Sequence, residues 1–154
     1  MTGNLGSSAA GLKALTNKLD GFEDVKQRHL EPRCRVDIIS SIAPYASSMI
    51  DISDGLAGEL YHVSRQSRCR LLVFEGHIPI SDSVKRVSEI VHESALSYAY
   101  SGGEDFELLY TISPKDRKHA VGFEIGVVED GEGVFVERGK KKEMLERRGW
   151  EHFR

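Results

Sequence analysis

The run Met49-Ile50-Asp51-Ile52-Ser53-Asp54-Gly55-Leu56 sets two carboxylates and a hydroxyl close together where a strand gives way to a helix. Side chains alternate faces along a strand, so Asp51 and Ser53 point the same way, and Asp54 joins them as the chain turns. Oxygen donors of this kind suit a hard cation such as Mg²⁺, which retains water and phosphate oxygens in its shell. The helix start beside them favours an anionic phosphate. The same residues also serve ordinary structure, since Ser53 and Asp54 are common helix caps and Asp-Gly is a common turn. Capping explains Asp51 worst: an acid between Ile50 and Ile52 in an apolar strand should not be buried without a partner.

A second candidate is Ser101-Gly102-Gly103-Glu104-Asp105-Phe106-Glu107. Glycines let the backbone approach a ligand closely. The acids that follow repel a naked phosphate, so the loop suits a metal, an amine or another cationic ligand, and it also reads as a plain turn before a strand. The remaining groups offer less. The six histidines show no H-x-x-x-H or H-E-x-x-H spacing for zinc. Lys140-Lys141-Lys142 reads as a solvated turn. Trp150, the only tryptophan, is either an anchor for the tail or a platform for a flat ring.

The elements that must carry these groups alternate between helix and strand. Leu12, Leu15 and Leu19 mark a helix that starts after Ser7–Ala10 and ends near Asp20-Gly21. A turn or two of helix from Val25 to Leu30 stops at Glu31-Pro32, and a short helix from Val36 to Ile42 is closed by Pro44. Ser47–Ser53 reads as a strand. The helix opened by Asp54-Gly55 and running to about Arg68 has Leu56, Leu60, Val63 and Ser67 on its apolar face, with Glu59, His62 and Arg65 elsewhere. Leu71–Phe74 is a short buried strand. Ser81-Asp82 caps a helix whose stripe is Val84, Val87, Ile90 and Val91, and Ala95-Leu96 begin another helical piece. Phe106–Ile112 is a strand. Glu124–Val128 and Val134–Val136 are two more, joined by a hairpin-like Glu129–Gly133 connection. The pattern predicts an α/β fold, an α+β sandwich with a mixed, partly antiparallel sheet and helices packed on it.

Composition bounds the function. The 154 residues carry 21 basic against 24 acidic side chains, a net charge of −3, which argues against holding nucleic acid by general electrostatics. At 40% hydrophobic the chain has material for one core without disulfides or metal. Cys34 and Cys69 fit free thiols in a reducing interior. No secretory signal is legible in the first residues, and no apolar run approaches the roughly 20 residues of a membrane span. A cytoplasmic protein without a membrane or nucleic-acid partner is expected.

Five blocks in order along the chain carry a resemblance: Thr2–Leu12, Arg28-His29-Leu30 with Pro32, Met49–Leu56, Ser101–Leu109, and Gly149-Trp150-Glu151-His152-Phe153. Together they resemble the C-terminal half of the thiamine-monophosphate kinase family, in the aminoimidazole ribonucleotide synthetase-like superfamily. Ser7 stands where members often carry an acid, and Phe106 where Tyr is usual. The resemblance implies transfer of the ATP γ-phosphoryl group to thiamine monophosphate, giving thiamine diphosphate, with several Mg²⁺ ions shielding the phosphates. It makes Asp51 and Asp54 magnesium ligands and Ser53 a nucleotide phosphate contact. It makes Glu104, Trp150 and the neighbouring Asp105 substrate contacts, a carboxylate and an indole both suiting a cationic thiazolium ring. By the same resemblance, residues 1–154 are the C-terminal domain, and an N-terminal ATP- and magnesium-binding domain, through which a homodimer forms, would precede Met1. The chain alone is then expected to be inactive. The alternatives are another ATP-dependent enzyme of the superfamily and a non-catalytic binding or assembly module.

Overall fold

The computed structural model describes residues 1–145 of the 154. Twelve regular elements follow one another among them: α1 (Ser7–Thr16), α2 (Glu23–Leu30), α3 (Val36–Ile42), β1 (Ala46–Asp51), α4 (Leu56–Ser67), β2 (Arg70–Phe74), α5 (Asp82–Ile90), α6 (Ala95–Ser101), β3 (Leu108–Ile112), β4 (Gly126–Glu129), β5 (Gly133–Arg138) and β6 (Lys141–Met144). The expected mixed α/β architecture is present. β1 and β3 form an antiparallel pair, and a four-stranded sheet runs β4-β2-β5-β6.

The Glu129–Gly133 connection does not make a hairpin, contrary to the sequence reading. β2 inserts between β4 and β5, so Leu72 faces Val127 antiparallel on one side and Phe135 in parallel on the other. The reason is burial. Leu71, Leu72 and Val73 are all buried, and an apolar run of that kind belongs in the middle of a sheet. Val127 and Val128 are exposed, as an edge tolerates. The lysine run is also no plain turn: Gly139-Lys140 turn the chain, and Lys141 and Lys142 begin the edge strand β6 paired with β5.

Two apolar clusters hold the layers together. The larger joins Leu5, Ile52, Leu56, Leu60, Ala99, Val134 and Val136, seating α4 and α6 on the strands. The smaller joins Ala10, Ala14, Phe22, Val25, Val84, Val87 and Tyr98. In α1 the leucine stripe is not the buried face. Ala10, Gly11 and Ala14 are buried, and Leu12 is 45% exposed. A Cβ on Gly11 would lie 2.1 Å from the Val25 carbonyl oxygen, so α1 and α2 meet backbone to backbone and small residues decide the contact. The stripe of α5 is likewise narrower than expected, with Val84 and Val87 buried and Ile90 exposed, while Ser81 caps it by accepting the Val84 N–H at 3.3 Å. In α4 Leu56, Leu60 and Val63 are buried as expected; Ser67 is exposed, and Glu59 is buried rather than solvated.

Because β2 is hydrogen-bonded on both sides and covered, its amides should exchange later than those of the two edge strands. Hydrogen–deuterium exchange is expected to leave Leu71–Val73 protected roughly tenfold or more longer than β4 and β6. Equal exchange in β2 and β4 would contradict the strand order.

Candidate functional site

Two turns meet at the end of the β1–β3 pair. Beyond β1 the Ile52 N–H donates to the Glu107 carbonyl at 2.8 Å, and the Phe106 N–H donates back to the Ile52 carbonyl at 2.9 Å. The Glu104 N–H then donates to the Ser53 carbonyl at 2.7 Å. These bonds zip Asp51–Asp54 against Glu104–Glu107, so two stretches about a third of the chain apart share one surface. Glu104 and Phe106 take left-handed conformations, with φ of 56° and 50°. Phe106 is therefore not the first residue of a strand, and β3 starts at Leu108. Gly103, at φ 64°, allows the approach, since a Cβ there would lie 2.6 Å from the Ser53 carbonyl oxygen.

The sequence-predicted residues divide by exposure. Asp51, Asp54 and Glu104 are exposed, and Ser53 is half-buried. Asp51 is not buried without a partner, as its place between Ile50 and Ile52 suggests; it is exposed to solvent. Neither Asp51 nor Asp54 has an ion-pair partner among the described residues, which leaves both sets of oxygens open. Their donor chemistry fits a magnesium ion. Among the described residues no three His, Cys, Asp or Glu side chains cluster as a metal site, so these two would be part of a larger ligand set. Glu104 reaches Ser8 Oγ at 3.4 Å, and His29 Nδ1 lies 3.9 Å from its carboxylate; Ser8 Oγ and His29 Nδ1 are themselves 2.9 Å apart. Trp150 lies outside the described residues.

Asp105 is placed differently. It is buried, and its carboxylate accepts the Gly6 N–H at 2.6 Å and the Ser8 N–H at 3.2 Å, fixing the start of α1. Burial pushes its carboxyl up to about 6 against the pull of those N–H groups, and Glu107 adds to the rise.

Two acids were not singled out by sequence. Glu107 is fully buried, accepting from Thr2 Oγ1 at 2.6 Å, Arg28 Nη2 at 2.9 Å and Arg35 Nη1 at 3.0 Å. Its signal was present: an acid inside Phe106-Glu107-Leu108-Leu109 is the same pattern that drew attention to Asp51. Glu59, buried on the first turns of α4, accepts the Asp54 backbone N–H. Burial raises its carboxyl above the ordinary range, that N–H opposes the rise, and the nearby Asp54 and Asp51 charges add to it. Glu59 therefore holds the turn that carries Asp54.

Known proteins resemble the chain along nearly its whole length. No protein-family model matches the chain. It is 39% identical over 159 residues to the thiamine-monophosphate kinase of Aquifex aeolicus, covering 99% of this chain and 50% of that protein. The thiamine-monophosphate kinase of Pyrococcus abyssi is 39% identical over 155 residues, covering 99% and 48%. A solved structure of AaThiL complexed with AMPPCP and TMP superposes with a TM-score of 0.85 at 36% identity, covering 99% of this chain and 50% of that one. The chain thus spans about half the length of the curated relatives it matches.

Two outcomes follow from the buried acids. The Asp105 carboxyl is raised in the folded state, so its contribution to stability is full below about pH 4 and is lost as pH rises through about 6. Urea titrations should therefore show Asp105→Asn gaining on the parent by roughly 2–3 kcal/mol between pH 4 and 7. A pH-independent difference would refute the assignment. Glu107→Ala, which strands Arg28 and Arg35, is expected to cost about 3–5 kcal/mol, and a loss under 1 kcal/mol would show that the cluster holds nothing together.

Proposed function

The chain is homologous to the thiamine-monophosphate kinases over their C-terminal domain, and on that premise we propose that it forms the substrate side of a magnesium-dependent kinase making thiamine diphosphate from thiamine monophosphate and ATP. The supporting observation is the zipped pair of turns, which sets Asp51, Ser53 and Asp54 beside Glu104. Both reactants are anionic, so the protein's task is to shield charge and hold two phosphates in line. Magnesium would supply that shielding when bound. Asp51 and Asp54 would hold it with open carboxylates on a turn fixed by Glu59. Ser53 would hydrogen-bond a nucleotide phosphate.

Glu104 would orient the substrate by attraction to its cationic ring, and Trp150 would lie against that ring. Asp105 serves the substrate indirectly in this reading, because its oxygens hold the start of α1 and with it Ser8, which touches Glu104. The other half of the protein, an N-terminal domain preceding this chain, would complete the magnesium and nucleotide sites and carry the contact of a homodimer. The half-length match to the relatives supports that division. A cytoplasmic setting belongs to the same proposal; none of the described helices is long and apolar enough to cross a membrane.

Thiamine diphosphate formation should be measured with the whole protein, its Asp51→Asn variant and the 154-residue chain alone. Asp51→Asn is expected to lose roughly a hundredfold or more in rate, since a ligand to a charge-shielding cation is removed. The isolated chain should show little or no turnover. Full activity of Asp51→Asn would remove Asp51 from the machinery, and robust turnover by the chain alone would overturn the division into halves.

A further inference from the structure

Arg28, at the end of α2, and Arg35, at the start of α3, share a single carboxylate: each gives one guanidinium nitrogen to a different oxygen of Glu107. Two cations of like sign are thereby held together by one buried anion. Glu107 accepts from a third donor, Thr2, and is closed off from solvent. The guanidinium groups are not closed off, for their side chains remain 35% and 26% exposed.

The cleft they face has a volume of about 650 Å³ and is lined by Arg28, Arg33, Cys34, Arg35, Val36 and Asp37. Arg33 is exposed and has no ion pair or hydrogen bond among the described residues. The acids that face this cluster are Glu107, beneath it, and Asp37, 3.5 Å from Arg35 Nε. Glu31, nearby in the chain, is bonded to Gln27 at 2.6 Å. Three guanidinium groups against two carboxylates leave an excess positive charge, with planar donor forks open to water.

We propose that Arg28, Arg33 and Arg35 form a binding site for a phosphate dianion, either inorganic phosphate or the terminal group of a phosphomonoester. The fork of an arginine matches two phosphate oxygens at once. An anion on the solvent side would also relieve the repulsion between Arg28 and Arg35 that Glu107 offsets only from beneath. The site requires no magnesium, unlike Asp51 and Asp54, and it does not depend on the kinase reading.

The test is a titration of the ¹⁵N-labelled 154-residue chain with inorganic phosphate and, separately, with AMP, in magnesium-free buffer, following the arginine Nε–Hε signals. Saturable shifts at Arg28, Arg33 and Arg35 are expected, with affinity falling as salt is added. Tighter binding of AMP assigns the site to an ester's phosphate end and tighter binding of inorganic phosphate to the free anion; either supports it. Arg33→Gln leaves the Glu107 pairs intact and should weaken binding roughly tenfold, the value of one charged hydrogen bond. Arg33→Lys should restore part of the loss. Absence of saturable shifts with both anions would overturn the proposal, as would an Arg33→Gln chain that binds as tightly as the parent.

Discussion

A carboxylate cut off from water must be neutralised by its neighbours, and at Glu107 that requirement organises three distant parts of the chain. Thr2 comes from the first residues, Arg28 and Arg35 from the segment between α2 and α3, and Glu107 itself from the approach to β3. The α2–α3 connection has no apolar core of its own at this point: Leu30 and Val36 are exposed, and Arg33 to Arg35 lie in exposed or half-buried loop. The charge cluster therefore does there what packing does elsewhere. It fixes where the α2–α3 connection runs and, through Leu108 and Phe106, where the turn carrying Glu104 begins. A buried ion cluster adds little net stability over apolar packing, but it tolerates few alternative arrangements.

The geometry of the site follows from backbone bonds rather than side-chain contacts. Ile52, Ser53, Glu104 and Phe106 exchange main-chain hydrogen bonds, and the left-handed residues at Gly103, Glu104 and Phe106 bend the loop to meet them. Strain of that kind persists only where the surroundings over-determine it. Here the surroundings are Asp105, locked onto α1, and Glu107, locked onto two arginines. The exposed Glu104 is thus flanked by fixed neighbours and set with one carboxylate oxygen against Ser8 and His29.

The legibility of the sequence tracked the range of the interactions. Helices whose apolar residues repeat at helical spacing, such as α4, were readable because the signal is local. The strand order was not: Glu129–Gly133 has hairpin chemistry, and only the burial of Leu71–Val73 from far along the chain explains why β2 lies between its ends. The buried face of α1 departs from its leucine pattern because its contact with α2 depends on an absent side chain at Gly11. The site residues named from Asp51 to Asp54 and at Glu104 do come together. An acid in an apolar run needs a partner when it is buried, which holds for Glu107 and not for Asp51. Exposure separates the two, and a lone sequence does not display it.

Acids in this domain accordingly fall into two sets with different duties. Glu59, Asp105 and Glu107 are buried and committed, each to a backbone N–H or a cation that shapes a turn. Asp51, Asp54 and Glu104 are exposed, and no Lys or Arg among the described residues pairs with them. If the exposed acids were neutralised within the domain they could not recruit a cation; if the buried ones were not, the turns would not hold. The arginines follow the same logic in reverse, with Arg28 and Arg35 half committed to Glu107 and half turned outward.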